Sequence, residues 1–391
     1  MANMLDYLGW RGDLSFQERK WNDVDNVILA ELAYLRMEDL VPGPESRGTV
    51  SLGELLSAYR RAGRNETTAV NNPFPLLQAA GESTRFSSVR VGRFVNKISL
   101  ESTKQFSAVT FYLPDGSMYV SFRGTDNTIV GWREDFNFCF TETPGQTEAA
   151  DYLNSAAKDA SGLLRVGGHS KGGNLAVYAA AFCDAAVQSR IEKVYSNDGP
   201  GFNQAVAESP EYERIVGKVL QIIPEGSVVG ILLSNKAERK IVKSSAFGIM
   251  QHDPFTWQVF GTAFEEADGQ SYPSLFMDQA VSQWIKGLSL SQKKNLVNTI
   301  FDSMEATGAA TLKEMNARKW DAASAILKAV METDPAKLQD VFSSFKKLGV
   351  TGRELLLQDA KAAVDQWAAR FRQSRLSAVK EKDTGEENSD G

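Results

Sequence analysis

Gly168-His169-Ser170-Lys171-Gly172 sets one hydroxyl between two glycines, within VGGHSKGGNLAVYAA. The G-x-S-x-G spacing suits a serine nucleophile lifted on a sharp strand-to-helix turn, because the flanking glycines permit the turn. The pentapeptide alone is weak, since ~0.2 matches arise by chance in a chain of this length and composition. Its setting is stronger. It ends a short apolar run, GLLRV, and opens an alanine-rich stretch of helical character. A helix starting beneath Ser170 offers free backbone N–H groups and a partial positive charge to a developing oxyanion. The plain alternative is a glycine-rich turn with a capping serine.

An activated serine needs a base. The chain holds two histidines, His169 and His252. His169 adjoins the serine, so its side chain is expected to leave the turn the other way and to pack or support. His252, in GIMQHDPFTW, is then the base by elimination, in the chain order Ser…acid…His. The acid belongs on a loop at the C-terminal end of a strand that follows the serine. Glu225, after GKVLQIIP, and Asp198, after IEKVYSN, both qualify. Asp253 adjoins His252 and is a poor orienter, because neighbouring side chains diverge. The oxyanion needs two N–H donors. One is the backbone N–H of Lys171. The other belongs to the loop after an earlier strand, where Ser121-Phe122-Arg123-Gly124-Thr125-Asp126 makes Thr125 the natural supplier.

These residues need strands to carry them and helices to cover the strands. KQFSAVTFYLP (104–114) and SMYVSFRGT (117–125), joined by Asp115-Gly116, read as a hairpin. A helix from about Thr147 to Lys158 follows, then strand 162–170, the alanine-rich helix, strand 191–198, helical residues 203–214 and strand 217–224. Strands alternating with helices give a mostly parallel sheet covered on both faces, the α/β class. Upstream, Asp23–Leu35 has helical apolar spacing, and SLGELLSAYRRAG reads as a short helix. Residues 276–375 show helical segments only, and KEKDTGEENSDG (380–391) has nothing apolar to bury. The expected plan is therefore an N-terminal helical segment packing on the core (1–80), an α/β core (81–272), a C-terminal all-helical region (273–378) and a disordered tail (379–391).

Composition narrows the function. At 391 residues with 42% apolar and 24% charged content, the chain is ample for a large core and is neither fibrous nor disordered overall. A net charge of −6 argues against nucleic acid or an anionic membrane as the partner. Cys139 and Cys183, in no CxxC pattern, read as two reduced thiols and exclude a disulfide framework. No Walker loop, GxGxxG turn, EF-hand or zinc spacing calls for a cofactor or metal. MANMLDYLGWRGDLSF lacks the apolar stretch of a signal peptide, and no run is long enough to span a membrane, so a soluble cytoplasmic protein is expected.

FRGT at 122–125, then Trp132 and Asp135, then GHSKGG resemble the class 3 lipase branch of the α/β-hydrolases. Asp198–Phe202 (DGPGF) looks like that branch's strand exit. The resemblance implies an α/β-hydrolase-type sheet and a Ser170–His252–acid triad, with the acid near Glu225. It implies a serine hydrolase that cleaves a small carboxylic ester through an acyl-enzyme, without cofactor. GHSKGGNLA, IIPEGSVVGILL and QHDPFTW also look like a bacterial family of uncharacterised proteins in the same superfamily, from MLDYLGWRGDLSF to about residue 260. Lys171 stands where class 3 lipases carry an apolar residue; its ammonium is expected in solvent, the alternative being a preference for an anionic acyl group. A glutamate acid would also depart from the usual aspartate. The aromatic segment 126–146 sits where that branch has a lid, with packing into the core as the alternative. Two further functions use the same residues differently: a thioesterase or amidase, and a non-catalytic protein whose helical region binds a partner that the sequence does not identify.

Overall fold

In the computed structural model the strands lie side by side in chain order: β1 (Val50–Ser51), β2 (Arg90–Ser99), β3 (Lys104–Tyr112), β4 (Met118–Phe122), β5 (Leu164–His169), β6 (Ile191–Asn197), β7 (Val219–Pro224) and β8 (Glu238–Val242). From β1 to β4 the pairing is antiparallel; from β4 to β8 it is parallel. The structure describes residues 1–64, 73–99, 104–124, 143–159, 161–227, 229–231, 233–246 and 248–269. All fall within Met1–Lys319, the first of two units into which the chain divides. The expected helical region 273–378, the tail 379–391, Cys139, Thr125 and residues 126–142 of the aromatic segment lie outside the described residues.

The antiparallel half begins the sheet through a hairpin whose turn is set locally. Gly116 takes φ +81°, Leu113 N–H bonds the Ser117 carbonyl, and the Asp115 carboxylate accepts from Ser117 N–H at 2.9 Å. The parallel half is held by crossover helices, and β4, β5 and β7 are buried along their whole length, as strands covered on both faces must be. Side chains alternate between two cores. Val109, Phe111 and Tyr119 join the core under helices α1 (Met4–Arg11), α2 (Asp23–Leu32), α3 (Leu52–Arg61) and α4 (Pro73–Glu82). Phe106, Ala108, Met118, Val120 and Phe122 join the opposite core, under α5 (Pro144–Ala156) and α6 (Lys171–Phe182). This is the α/β-hydrolase-type arrangement, a mostly parallel sheet with helices on both faces.

Two helices differ from the sequence reading for reasons of capping. α5 starts at Pro144 because proline is preorganised for the first helical position and the Gln146 side chain reaches back to accept from Thr143 N–H at 3.1 Å. Residues 203–214 form two short helices, Gln204–Ala207 and Pro210–Ile215, because Ser209 caps the second, which starts on Pro210. The N-terminal helices are integral to the core. In α2 every residue from Val24 to Leu32 is buried, including Asp25, Asn26 and Glu31. Asp25 pairs with Arg85 at 2.6 Å and accepts from Tyr7 Oη at 2.9 Å, and Arg85 also bonds the carbonyls of Leu14, Ser15, Arg19 and Lys20. Among the described residues no helix is long and apolar enough to cross a membrane.

Candidate active site

Ser170 stands alone between β5 and α6, with φ 58° and ψ −130°. A non-glycine residue in this region is strained, and such strain survives only where the surroundings impose it. They do so here: Ser170 N–H donates to the Asn197 carbonyl at 2.9 Å, and the Ser170 carbonyl accepts from Gly173 N–H at 2.9 Å. The end of β4 passes so close that a Cβ on Gly168 would lie 2.4 Å, and one on Gly172 2.0 Å, from the Phe122 carbonyl oxygen. Both glycines of G-x-S-x-G are therefore steric requirements. The exit of β4 also reaches the serine, since a Cβ on Gly124 would lie 3.3 Å from Ser170 Cβ. Thr125, expected to supply an oxyanion donor, is the next residue and lies outside the described residues. Lys171 begins α6 and the residue is only 8% exposed, so the expectation of an ammonium in solvent is corrected: the first turn of α6 lies inside the fold, with Gly172, Gly173 and Asn174 buried beside it. Asn174 fixes the helix to its neighbours, donating to the Gly201 carbonyl at 2.8 Å and accepting from Gln146 at 2.9 Å.

The carboxylate that meets His252 is Asp198. It follows β6, is fully buried, and takes φ 47° as the chain turns into Gly199. Its Oδ2 lies 2.6 Å from His252 Nδ1, while Oδ1 accepts from Ser227 Oγ at 2.5 Å and Gly230 N–H at 3.1 Å. Glu225, the acid favoured by the family resemblance, is not at this position. Its N–H continues the ladder to the Val242 carbonyl, and its half-exposed side chain acts on Lys243. The loop after β7 thus delivers hydrogen-bond donors to Asp198, through Ser227 and Gly230, and carries its own carboxylate away.

Both histidines come together, with ring centroids 4.5 Å apart. His252 sits at the end of a 3-10 turn, Gly248–His252, and is buried. Burial and then the neighbouring His169 push its pKa down, against Asp198, which favours the proton. His169 is also buried; its Nε2 donates to the His252 carbonyl at 2.8 Å, and its Nδ1 lies 3.2 Å from Glu31 Oε1 and 3.3 Å from Tyr34 Oη. Burial opposes its charged form, but Glu31, Asp198 and the His252 carbonyl outweigh burial and raise its pKa. Asp253 turns away from the Asp198–His252 contact and caps Phe255 N–H at 2.9 Å; burial pushes its carboxyl up to about 6. Sequence reasoning missed Glu31, Tyr34, Ser227 and Gly230. Nothing in DVDNVILAEL sets Glu31 apart from Asp23, Asp25 and Asn26 on the same helix, so its burial shows only in the fold. Among the described residues no group of three or more His, Cys, Asp and Glu side chains could hold a metal ion.

A family model described as Mbeg1-like matches residues 80–302. The chain belongs to the Mbeg1-like family. The match starts and ends later than the stretch over which the sequence resembles a bacterial family, from near the N-terminus to about residue 260. No curated protein matches this Mbeg1-like chain. Among solved structures it is similar to M37 lipase, at 14% identity over 52% of this chain and 68% of that one, with a TM-score of 0.33. It is similar to the Rhizomucor miehei lipase propeptide complex, at 13% identity over 62% and 82% of the two chains, TM-score 0.35. Lipase II from Rhizopus niveus is similar at 15% identity over 56% and 84%, TM-score 0.33.

Proposed function

We propose that the chain is a serine hydrolase that cleaves carboxylic esters of lipase or esterase type. One observation carries the reading: a buried His252–Asp198 contact of 2.6 Å lies at the strand ends that also hold the strained Ser170. Ser170 Oγ attacks the acyl carbonyl and passes its proton to Nε2 of His252. Asp198 holds Nδ1–H, which fixes the tautomer that leaves Nε2 as the acceptor and stabilises the imidazolium that forms. The lowered pKa of His252 keeps the ring neutral before the reaction, as a base requires. The backbone N–H of Lys171, at the start of α6, and a donor from the β4 exit at Thr125 receive the oxyanion. His252 then protonates the leaving alkoxide, and water, deprotonated by His252, releases the acid from Ser170. The order Ser170, Asp198, His252 follows the strand order of the parallel half.

The test is fluorophosphonate labelling together with p-nitrophenyl ester hydrolysis, on the wild type and Ser170→Ala. Labelling should vanish in the variant, and kcat should fall by about five to six decades, because nucleophile and base act as a unit. Equal labelling of the two proteins would end the reading.

A further inference from the structure

His169 does more than pack behind the nucleophile. Its Nε2 holds the main-chain carbonyl of the very residue that bears the base, at 2.8 Å, and its ring lies 4.5 Å from the His252 ring, tilted by 36°. A carbonyl accepts only, so Nε2 carries a proton. On the other edge Nδ1 faces Glu31 Oε1 at 3.2 Å, in a place where both side chains are almost fully buried, 3% and 1% exposed. A carboxylate there asks for a proton on Nδ1 as well. Glu31 is on the last turn of α2, a helix fixed by the buried Asp25–Arg85 pair and by Asn26, whose Nδ2 donates to Asn197 Oδ1 at 2.8 Å. The support behind His169 is thus built into the core.

We propose that Glu31 and His169 form a positioning pair that anchors His252 by its main-chain carbonyl and tunes its basicity, making helix α2 part of the catalytic apparatus; this rests on the Ser170–His252–Asp198 reading. The groups facing His169 are Glu31 and Tyr34 from α2 and the turn after it, Asp198 from the end of β6, and His252 and Asp253 from the 3-10 turn. The carboxylates and the His252 carbonyl favour a cationic His169, and that cation opposes protonation of His252. When Glu31 loses its charge, His169 releases its proton at lower pH. The loss of the adjacent cation then outweighs the loss of the carboxylate behind it, and His252 takes up its proton at higher pH.

The test uses the full chain with nitrogen-15 histidine, whose two imidazoles give two separate titrations. Wild type, Glu31→Gln and His169→Gln are titrated across about pH 5–9, and kcat and KM for a p-nitrophenyl ester are followed over the same range. In E31Q the His169 titration should move down, the His252 titration and the acid limb of the rate should move up, and kcat should fall about tenfold with KM within about twofold. H169Q, which keeps an N–H donor but carries no charge, should show the same upward move of His252. Unchanged His252 titrations in both variants, or lost kcat with an unmoved limb, would overturn the proposal. If E31Q fails to fold, H169Q decides by the same readout. If the wild type shows no Ser170-dependent turnover, the hydrolase reading fails on that result, while the two titrations still decide whether the pair controls His252.

Discussion

Replacing Asp198 by Asn separates the two candidate acids and can be worked through atom by atom. Asp198 uses both oxygens: Oδ2 receives His252 Nδ1–H, and Oδ1 receives Ser227 Oγ–H and Gly230 N–H. An asparagine presents one oxygen and one NH2. With NH2 toward His252, the ring must put its proton on Nε2, and it can no longer accept one from Ser170. With NH2 toward the other side, it meets Gly230 N–H, a backbone donor that cannot turn round. Either way one buried donor is unsatisfied, at about 1–3 kcal/mol of stability. The first orientation costs about four decades in kcat, equivalent to about 5.4 kcal/mol of barrier. Glu225→Gln touches a half-exposed side chain near Lys243 and should leave activity within about twofold and stability within about 0.5 kcal/mol. The assay is kcat/KM for a p-nitrophenyl ester, with thermal melting of each variant as the control for folding. If E225Q lost decades of activity while a folded D198N kept it, the geometry would have been misread and the acid would lie one strand later.

Three further outcomes follow from other parts of the structure. The acid limb of kcat/KM should lie below the ordinary histidine value of about 6.5, because burial and His169 lower the His252 pKa and activity needs the neutral ring; a limb at or above that value would contradict it. Gly172→Ala places a methyl 2.0 Å from the Phe122 carbonyl oxygen and should cost about 3 kcal/mol in denaturant unfolding, along with most of the activity; wild-type stability would show that the elbow has room. Arg85→Met leaves Asp25 buried without its cation and should lower stability by about 3–5 kcal/mol; a Tm equal to wild type would show that the N-terminal helices do not depend on the pair.

The fold was legible where its signals are local. The Asp115-Gly116 hairpin, the apolar β5 and the helix after Ser170 are each specified by a short stretch, and all appear as expected. β2 was not legible, because a bulge between Gly92 and Val95, with Arg93 at φ 56°, interrupts its alternation. β8 was no more visible. It is the last strand of the sheet, and in ERKIV three charged residues in a row, Glu238, Arg239 and Lys240, leave no apolar alternation to mark it. In α4, PFPLLQAAGE, two prolines in the first turn look like breaks, yet that is where a helix tolerates them. The nucleophile was legible for the same local reason as β5. The choice between Asp198 and Glu225 was not, because both follow buried strands and differ only in the turn that comes next. Glu31 was out of reach, since its partner lies on the far side of the chain from it in sequence.

The shortage of histidine explains why the site must be built this way. Two carboxylates, Glu31 and Asp198, and two imidazoles share one buried volume at the end of the sheet. Such a cluster is tolerable only if charges are matched. On the proposed mechanism the proton leaving Ser170 lands on His252, whose Nδ1 faces Asp198. Burial disfavours this imidazolium, and the Asp198 carboxylate at 2.6 Å opposes that penalty as the proton arrives. His169 works against that gain through its own charge, and Glu31 offsets it. Without Glu31, His169 would keep its hydrogen bond to the main chain of residue 252 but lose the largest of the influences that favour its charged form.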